Sequence, residues 1–175
     1  SSTFFLFFML SSISAQDPPG INWKQIETSH YYLIFAEELS NEANRVANLL
    51  ETNYFSTGSN MGGRHRKLPI VLRNHSAIPN AFVSLGPWKS EWYHVPLPFK
   101  EMGSTEWYEL LVIHEGRHMF QFGQADRRIN RLFRLLGGER IQSLAGFLMI
   151  PGWFWEGDAV VNETLLSESG RGRQP

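Results

Sequence analysis

His114, Glu115 and His118, in the run His114-Glu115-Gly116-Arg117-His118, have the residue types and spacing of a metal-dependent hydrolytic site. In a helix, residues four apart lie on one face, one turn above the other. Two neutral imidazoles so placed can share one tetrahedral zinc ion. The intervening Glu115 points to the side of that pair, within reach of a metal-associated water but not a ligand itself. Such a pair needs another protein ligand. The aromatic, proline-bounded run Trp153-Phe154-Trp155-Glu156-Gly157-Asp158-Ala159 offers Glu156.

Three fixed positions also arise by chance, so the flanking residues decide how the motif is read. Trp107, Leu110, Leu111, Ile113, Met119, Phe120 and Phe122 surround it, which predicts a buried helix over 107–122. A buried histidine pair with a glutamate between them requires partners, and a metal satisfies all three groups together. Glu156, Asp158 and Glu163 share one predicted helix, Trp153–Leu166. Glu156 and Glu163 are seven apart and share a face, whereas Asp158 points elsewhere. Glu156 is the expected third ligand. Glu163, with Asp158 as the rival, is expected to hold a ligand histidine in its tautomer through the nitrogen that does not face the metal. The small Gly157 and Ala159 are expected to let this helix approach the first.

These elements need a framework, and the rest of the chain supplies it. The 175 residues, 42% hydrophobic, suffice for one domain with a real core. Trp23, Ile26, Tyr32 and Ile34 alternate with polar neighbours and predict one or two strands over 22–35. Leu39, Ala43, Val46, Leu50 and Tyr54 mark an amphipathic helix over 38–55. Residues 58–67 form a glycine-rich, charged loop. Leu68–Arg73 and Ala81–Leu85 are expected strands, the second closed by Gly86-Pro87 and followed by a hairpin partner at Trp92–Leu97. Beyond the motif, Asp126–Leu136 is an amphipathic helix that stops at Gly137-Gly138. Ile141–Ile150 is a short apolar helix expected to lie buried beneath the site. The expected class is α+β: a small mixed sheet with one helix (16–103), then a mainly helical zinc-binding half (104–175).

Composition excludes other functions. A net charge of −1 provides no field for nucleic acid or an anionic membrane. Zero cysteines exclude disulfides, thiolate metal sites and cysteine nucleophiles. Gly62-Gly63 and Gly137-Gly138 lack the strand–loop–helix context of a nucleotide site. His30, His65, His75 and His94 have no spacing that implicates them. Residues 1–15 combine an apolar run, Phe4–Leu10, with small residues ending at Ala15. That pattern reads as part of an export signal and is too short to span a bilayer.

The pairing of His114-Glu115-x-x-His118 with Trp155-Glu156-Gly157-x-Ala159-x-x-x-Glu163 resembles the gluzincin zinc peptidases, the thermolysin-like clan that includes the M1 aminopeptidases. The likeness covers roughly residues 80–166. More closely, the segment Trp153-Phe154-x-Glu156-Gly157-Asp158-Ala159-Val160 and the stretch Gly170-Arg171-Gly172-Arg173 are similar to exported bacterial proteins. In those, a peptidase-MA-like front domain precedes a TolB-like β-propeller. The resemblance implies a thermolysin-like fold, Zn2+ held by His114, His118 and Glu156, and Glu115 as general base. It also implies a peptide or protein substrate lying along the strand Ala81–Leu85, export to the periplasm, outer surface or medium, and a C-terminal propeller in a longer chain.

Departures from the family pattern are equally visible. Residues 119–155 make the interval between His118 and Glu156 37 long, more than in M1 aminopeptidases, so 126–150 must loop out as extra helices. Gly116 costs the metal helix about 1 kcal/mol against alanine, which implies a close contact there. No G-A-M-E-N segment is present, and no Tyr or His follows Glu156 to serve as transition-state donor. Rival expectations are a non-peptidase zinc hydrolase, a non-catalytic binding or scaffold domain beside a propeller, and a metal-free pair of structural helices.

Overall fold

A computed structural model describes residues 17–62, 64–75, 80–95, 106–125, 129–168 and 170–173. The expected export signal and the expected strand end at 96–97 lie outside them. The chain forms a five-stranded mixed sheet followed by helices, an α+β architecture.

The sheet comprises β1 (Trp23–Glu27), β2 (Tyr31–Ala36), β3 (Leu68–Arg73), β4 (Ala81–Leu85) and β5 (Trp88–Tyr93), in the order β1-β2-β3-β5-β4. The β2–β3 and β3–β5 pairs are parallel, with Leu33 opposite Ile70 and Leu72 opposite Trp92. β1 and β4 add antiparallel edges. Tyr31, Leu33 and Phe35, Leu68, Ile70 and Leu72, and Trp88, Ser90 and Trp92 are buried at every second position. One face of the sheet therefore carries the core, as strand periodicity requires. The hairpin partner of β4 starts at Trp88, not at Trp92. Lys89 and Glu91 hide it from a hydrophobicity reading, yet Glu91 is buried because Arg73 Nε donates to it over 2.7 Å and Lys89 also pairs with it.

Helix α1 (Ser40–Gly58) covers that face with Ala43, Val46, Ala47, Leu50 and Tyr54. The next helix, α2 (Trp107–Ala125), carries the histidine motif and packs between α1 and the last helix, α4 (Gly152–Leu166). Every α2 residue from Leu110 to Gly123 is buried, so this helix runs through the interior. At Gly116 a Cβ would lie 3.2 Å from Thr57 Cγ2. That is the close contact the helix-interior glycine implied, and it brings α1 against the back of the motif.

Between them, α3 (Ile129–Met149) is broken at Gly138, whose φ of 73° only glycine adopts freely. The interruption expected at Gly137-Gly138 is therefore real. The burial expected of the second segment is not found at its start: Ile141 and Leu144 are exposed, as are Leu132, Leu135 and Leu136 in the first segment. Of its described apolar side chains Phe133 is half-buried and the other five face outward. Among the described residues no helix is long and apolar enough to cross a membrane.

Candidate metal centre

His114 and His118 project from one face of α2, their Nε2 atoms 3.2 Å apart. From α4, Glu156 brings its carboxylate to 3.5 Å from His114 Nε2 and 3.4 Å from His118 Nε2. The three ligand atoms converge within 4.8 Å of one another. Both rings are buried while the Glu156 side chain is 64% exposed, so the cluster sits at the floor of an open cleft.

The other ring nitrogens bear on the tautomers. Glu163, at the far end of the same face of α4, accepts from His114 Nδ1. Its carboxylate is fully buried and also receives Arg171 Nε at 2.9 Å and Nη2. Burial alone would push Glu163 upward, but the Arg171 and His114 donors outweigh it and hold the group down to about 2. His114 Nδ1 meets this ionised carboxylate, which favours a proton on that nitrogen, and also Arg171 Nη2 at 2.7 Å, which can only donate.

His118 is held differently. Its Nδ1 lies 2.7 Å from Gln121 Oε1. Gln121 Nε2 donates to Trp155 O at 3.0 Å and Asp158 Oδ2 at 2.8 Å, so the amide can present only its oxygen to the histidine. Hence His118 Nδ1 carries the proton. Both Nε2 atoms face each other across 3.2 Å, an arrangement that a shared proton or a cation between them would satisfy. Two nitrogens bound tetrahedrally to zinc at about 2.0–2.1 Å would stand roughly 3.3 Å apart. With the Glu156 carboxylate, the three donors could hold a metal ion such as zinc. Burial, followed by the neighbouring His114, also lowers the His118 pKa, favouring the neutral form that binds metal.

Glu115 lies beside this cluster, buried, and its Oε2 has no hydrogen-bond partner among the described residues. Burial raises its pKa from 4.5 to about 7. A carboxyl poised near neutrality and without a fixed partner is suited to taking and returning a proton.

The expected residues His114, Glu115, His118, Glu156 and Glu163 thus meet in one place. Asp158 stands apart from the histidines, and it does not take the role expected for Glu163. Arg117 grips it through Nε at 2.6 Å and Nη2 at 2.9 Å, while Arg117 Nη1 donates to Thr57 O at 2.9 Å. Those donors keep the Asp158 pKa low. Asp158 acts on His118 only through Gln121, while joining α1, α2 and α4. Gly157 does not mediate the helix contact, since a Cβ there would meet nothing within 4 Å; Ala159, fully buried, does. Asn162 Nδ2 adds a bond to Ile113 O at 3.3 Å.

Three residues of the site were missed by sequence reasoning: Arg117, Gln121 and Arg171. Gln121 could have been found as the position three residues after His118, where a helix places a side-chain partner. Arg171 had no comparable signal. It reaches back over a tight turn in which a Cβ on Gly170 would lie 2.6 Å from the Glu163 backbone.

In front of the cluster is a cleft of about 330 Å³, bordered by Ala81, Phe82 and Val83 of β4 and by Phe122, Trp155 and Glu156. Comparisons with protein-family models, with curated proteins and with solved structures find no match to this chain.

Proposed function

We propose that this chain is a zinc-dependent metallopeptidase domain of gluzincin type in an exported protein, hydrolysing peptide bonds of a peptide or protein substrate. The observation that carries the reading is the convergence of His114 Nε2, His118 Nε2 and the Glu156 carboxylate beside a buried, near-neutral Glu115. The signal-like sequence at residues 1–15 supports export, and likeness to propeller-bearing proteins supports further domains in a longer chain.

His114, His118 and Glu156 would hold the zinc ion, which would supply a Lewis acid for the scissile carbonyl and lower the pKa of water. Glu115 takes the proton of the attacking water and delivers it to the leaving amine. Glu163 and Gln121 favour protons on both Nδ1 atoms, so that each Nε2 stays directed at the cleft. β4 is an edge strand whose residues border the cleft, so an extended peptide can pair with it through backbone hydrogen bonds.

The test is hydrolysis of a mixed peptide library by the zinc-reconstituted chain, with Glu115→Gln alongside. Cleavage that falls by about 10²–10⁴-fold in the variant, with zinc retained, supports the assignment. Equal cleavage by both would remove Glu115 from the chemistry.

A further inference from the structure

The cleft does not end at the histidines. Beyond His114 and Glu115 it opens into a second cavity of about 210 Å³, walled by Asn80, Trp107, Leu110, Leu111 and Arg171. The two cavities share Ala81, His114 and Glu115, so they form one groove with the reacting groups in the middle. Its two ends differ in chemistry. One is apolar and aromatic, with Phe82, Val83, Phe122 and Trp155; the other has a guanidinium and an amide.

Arg171 uses Nε and Nη2 on Glu163, and its Nη1 has no partner among the described residues. Glu163 is fully buried, while the Arg171 side chain is 40% exposed. The counter-charge is therefore buried, while Arg171 itself lines the cavity. Guanidinium is planar, always charged, and has five donors, of which Glu163 takes those on one edge. The carboxylate best suited to the remaining edge comes from a ligand.

We propose that the Arg171 end of the groove is a carboxylate-binding subsite. It selects peptides that place a carboxylate on that side of the scissile bond, either an Asp or Glu side chain or the free C-terminus. This deepens the peptidase reading and rests on it. Asn80 lines the same cavity and carries an amide able to donate a second hydrogen bond. Because the arginine is partly exposed, the gain over a neutral peptide is about tenfold and declines with added salt.

The experiment uses the zinc-loaded Glu115→Gln chain, which binds without turnover. N-acetylated alanine–phenylalanine hexapeptides are compared by calorimetry as C-terminal acids against amides, and with Asp against Asn at each position. Zinc content is measured in every sample. Tighter binding of one carboxylate form by about tenfold, with that preference over its neutral counterpart lost in Arg171→Gln samples of equal zinc content, supports the subsite. The form that gains identifies its source, terminus or side chain. Asn80→Asp provides a second route that leaves the Glu163 pair untouched; it should weaken carboxylate peptides several-fold at unchanged zinc content. Peptides that bind with no carboxylate preference, or a preference that survives Arg171→Gln, overturn the subsite and leave the peptidase reading standing. Zinc uptake without any peptide binding overturns both.

Discussion

One histidine–carboxylate pair uses Glu51 of α1 and another uses His114 of α2, and only the second has the makings of a metal site. In the first pair, His30 Nδ1 lies 2.8 Å from Glu51 Oε2, and Glu51 Oε1 also accepts from the His30 backbone at 2.9 Å. The His30 ring is stacked on Tyr54 with centroids 3.6 Å apart. In the second pair, His114 Nδ1 meets Glu163 just as closely, but its Nε2 faces a second imidazole and a second carboxylate. A carboxylate behind a histidine is therefore not the mark of the site. The mark is what gathers around the histidine: an aromatic ring stacked on its face in one case, a second imidazole and a second carboxylate at Nε2 in the other.

Changes at the second pair should act on metal, and changes at the first pair on stability alone. The largest effect is expected from Glu163→Ala, which frees the His114 ring and strands Arg171. Zinc affinity should fall 10–100-fold in competition with a chelator. Gln121→Leu removes a neutral acceptor rather than a charged one, so its loss should lie near tenfold, with Asp158 still held by Arg117. Glu51→Gln should leave zinc affinity unchanged and cost at most about 1 kcal/mol in denaturant unfolding, since the pair is partly open to solvent.

That smallest effect carries a pH signature. Burial pushes Glu51 upward, but hydrogen bonds from Thr28 and His30 outweigh it and leave the folded group below its ordinary 4.5. A lowered carboxyl stabilises fully above its unfolded value and loses that contribution as pH falls through the folded one. The difference between wild type and Glu51→Gln should thus be complete at neutral pH and shrink progressively below about pH 4.5. A zinc defect in Glu51→Gln would break the distinction between the two pairs.

Much of this was legible in the chain. The strands at 68–73 and 81–85, the helix over the sheet and the buried helix around His114 follow from apolar periodicity of two and about 3.6. The seven-residue interval between Glu156 and Glu163 placed both carboxylates on the His114 side of α4, and they do meet its two nitrogens. What escaped depended on partners distant in sequence. β5 begins at Trp88 because Arg73 neutralises the charged Glu91 inside the strand, a pairing no local pattern reveals. Ile141 and Leu144 read as core because periodicity identifies an apolar residue without identifying what covers it. Gln121 has no charge to draw attention to it, and Arg171 reaches the site over a turn after its helix has ended.

The most direct measurement is the zinc content of the purified chain after reconstitution, beside His118→Ala and Glu156→Gln. About one zinc per chain is expected in the wild type and a sharp loss in both variants, with the fold retained by circular dichroism. Wild-type protein that takes up no zinc, or variants that hold it as tightly as the wild type, would contradict the three-ligand centre on which the function rests.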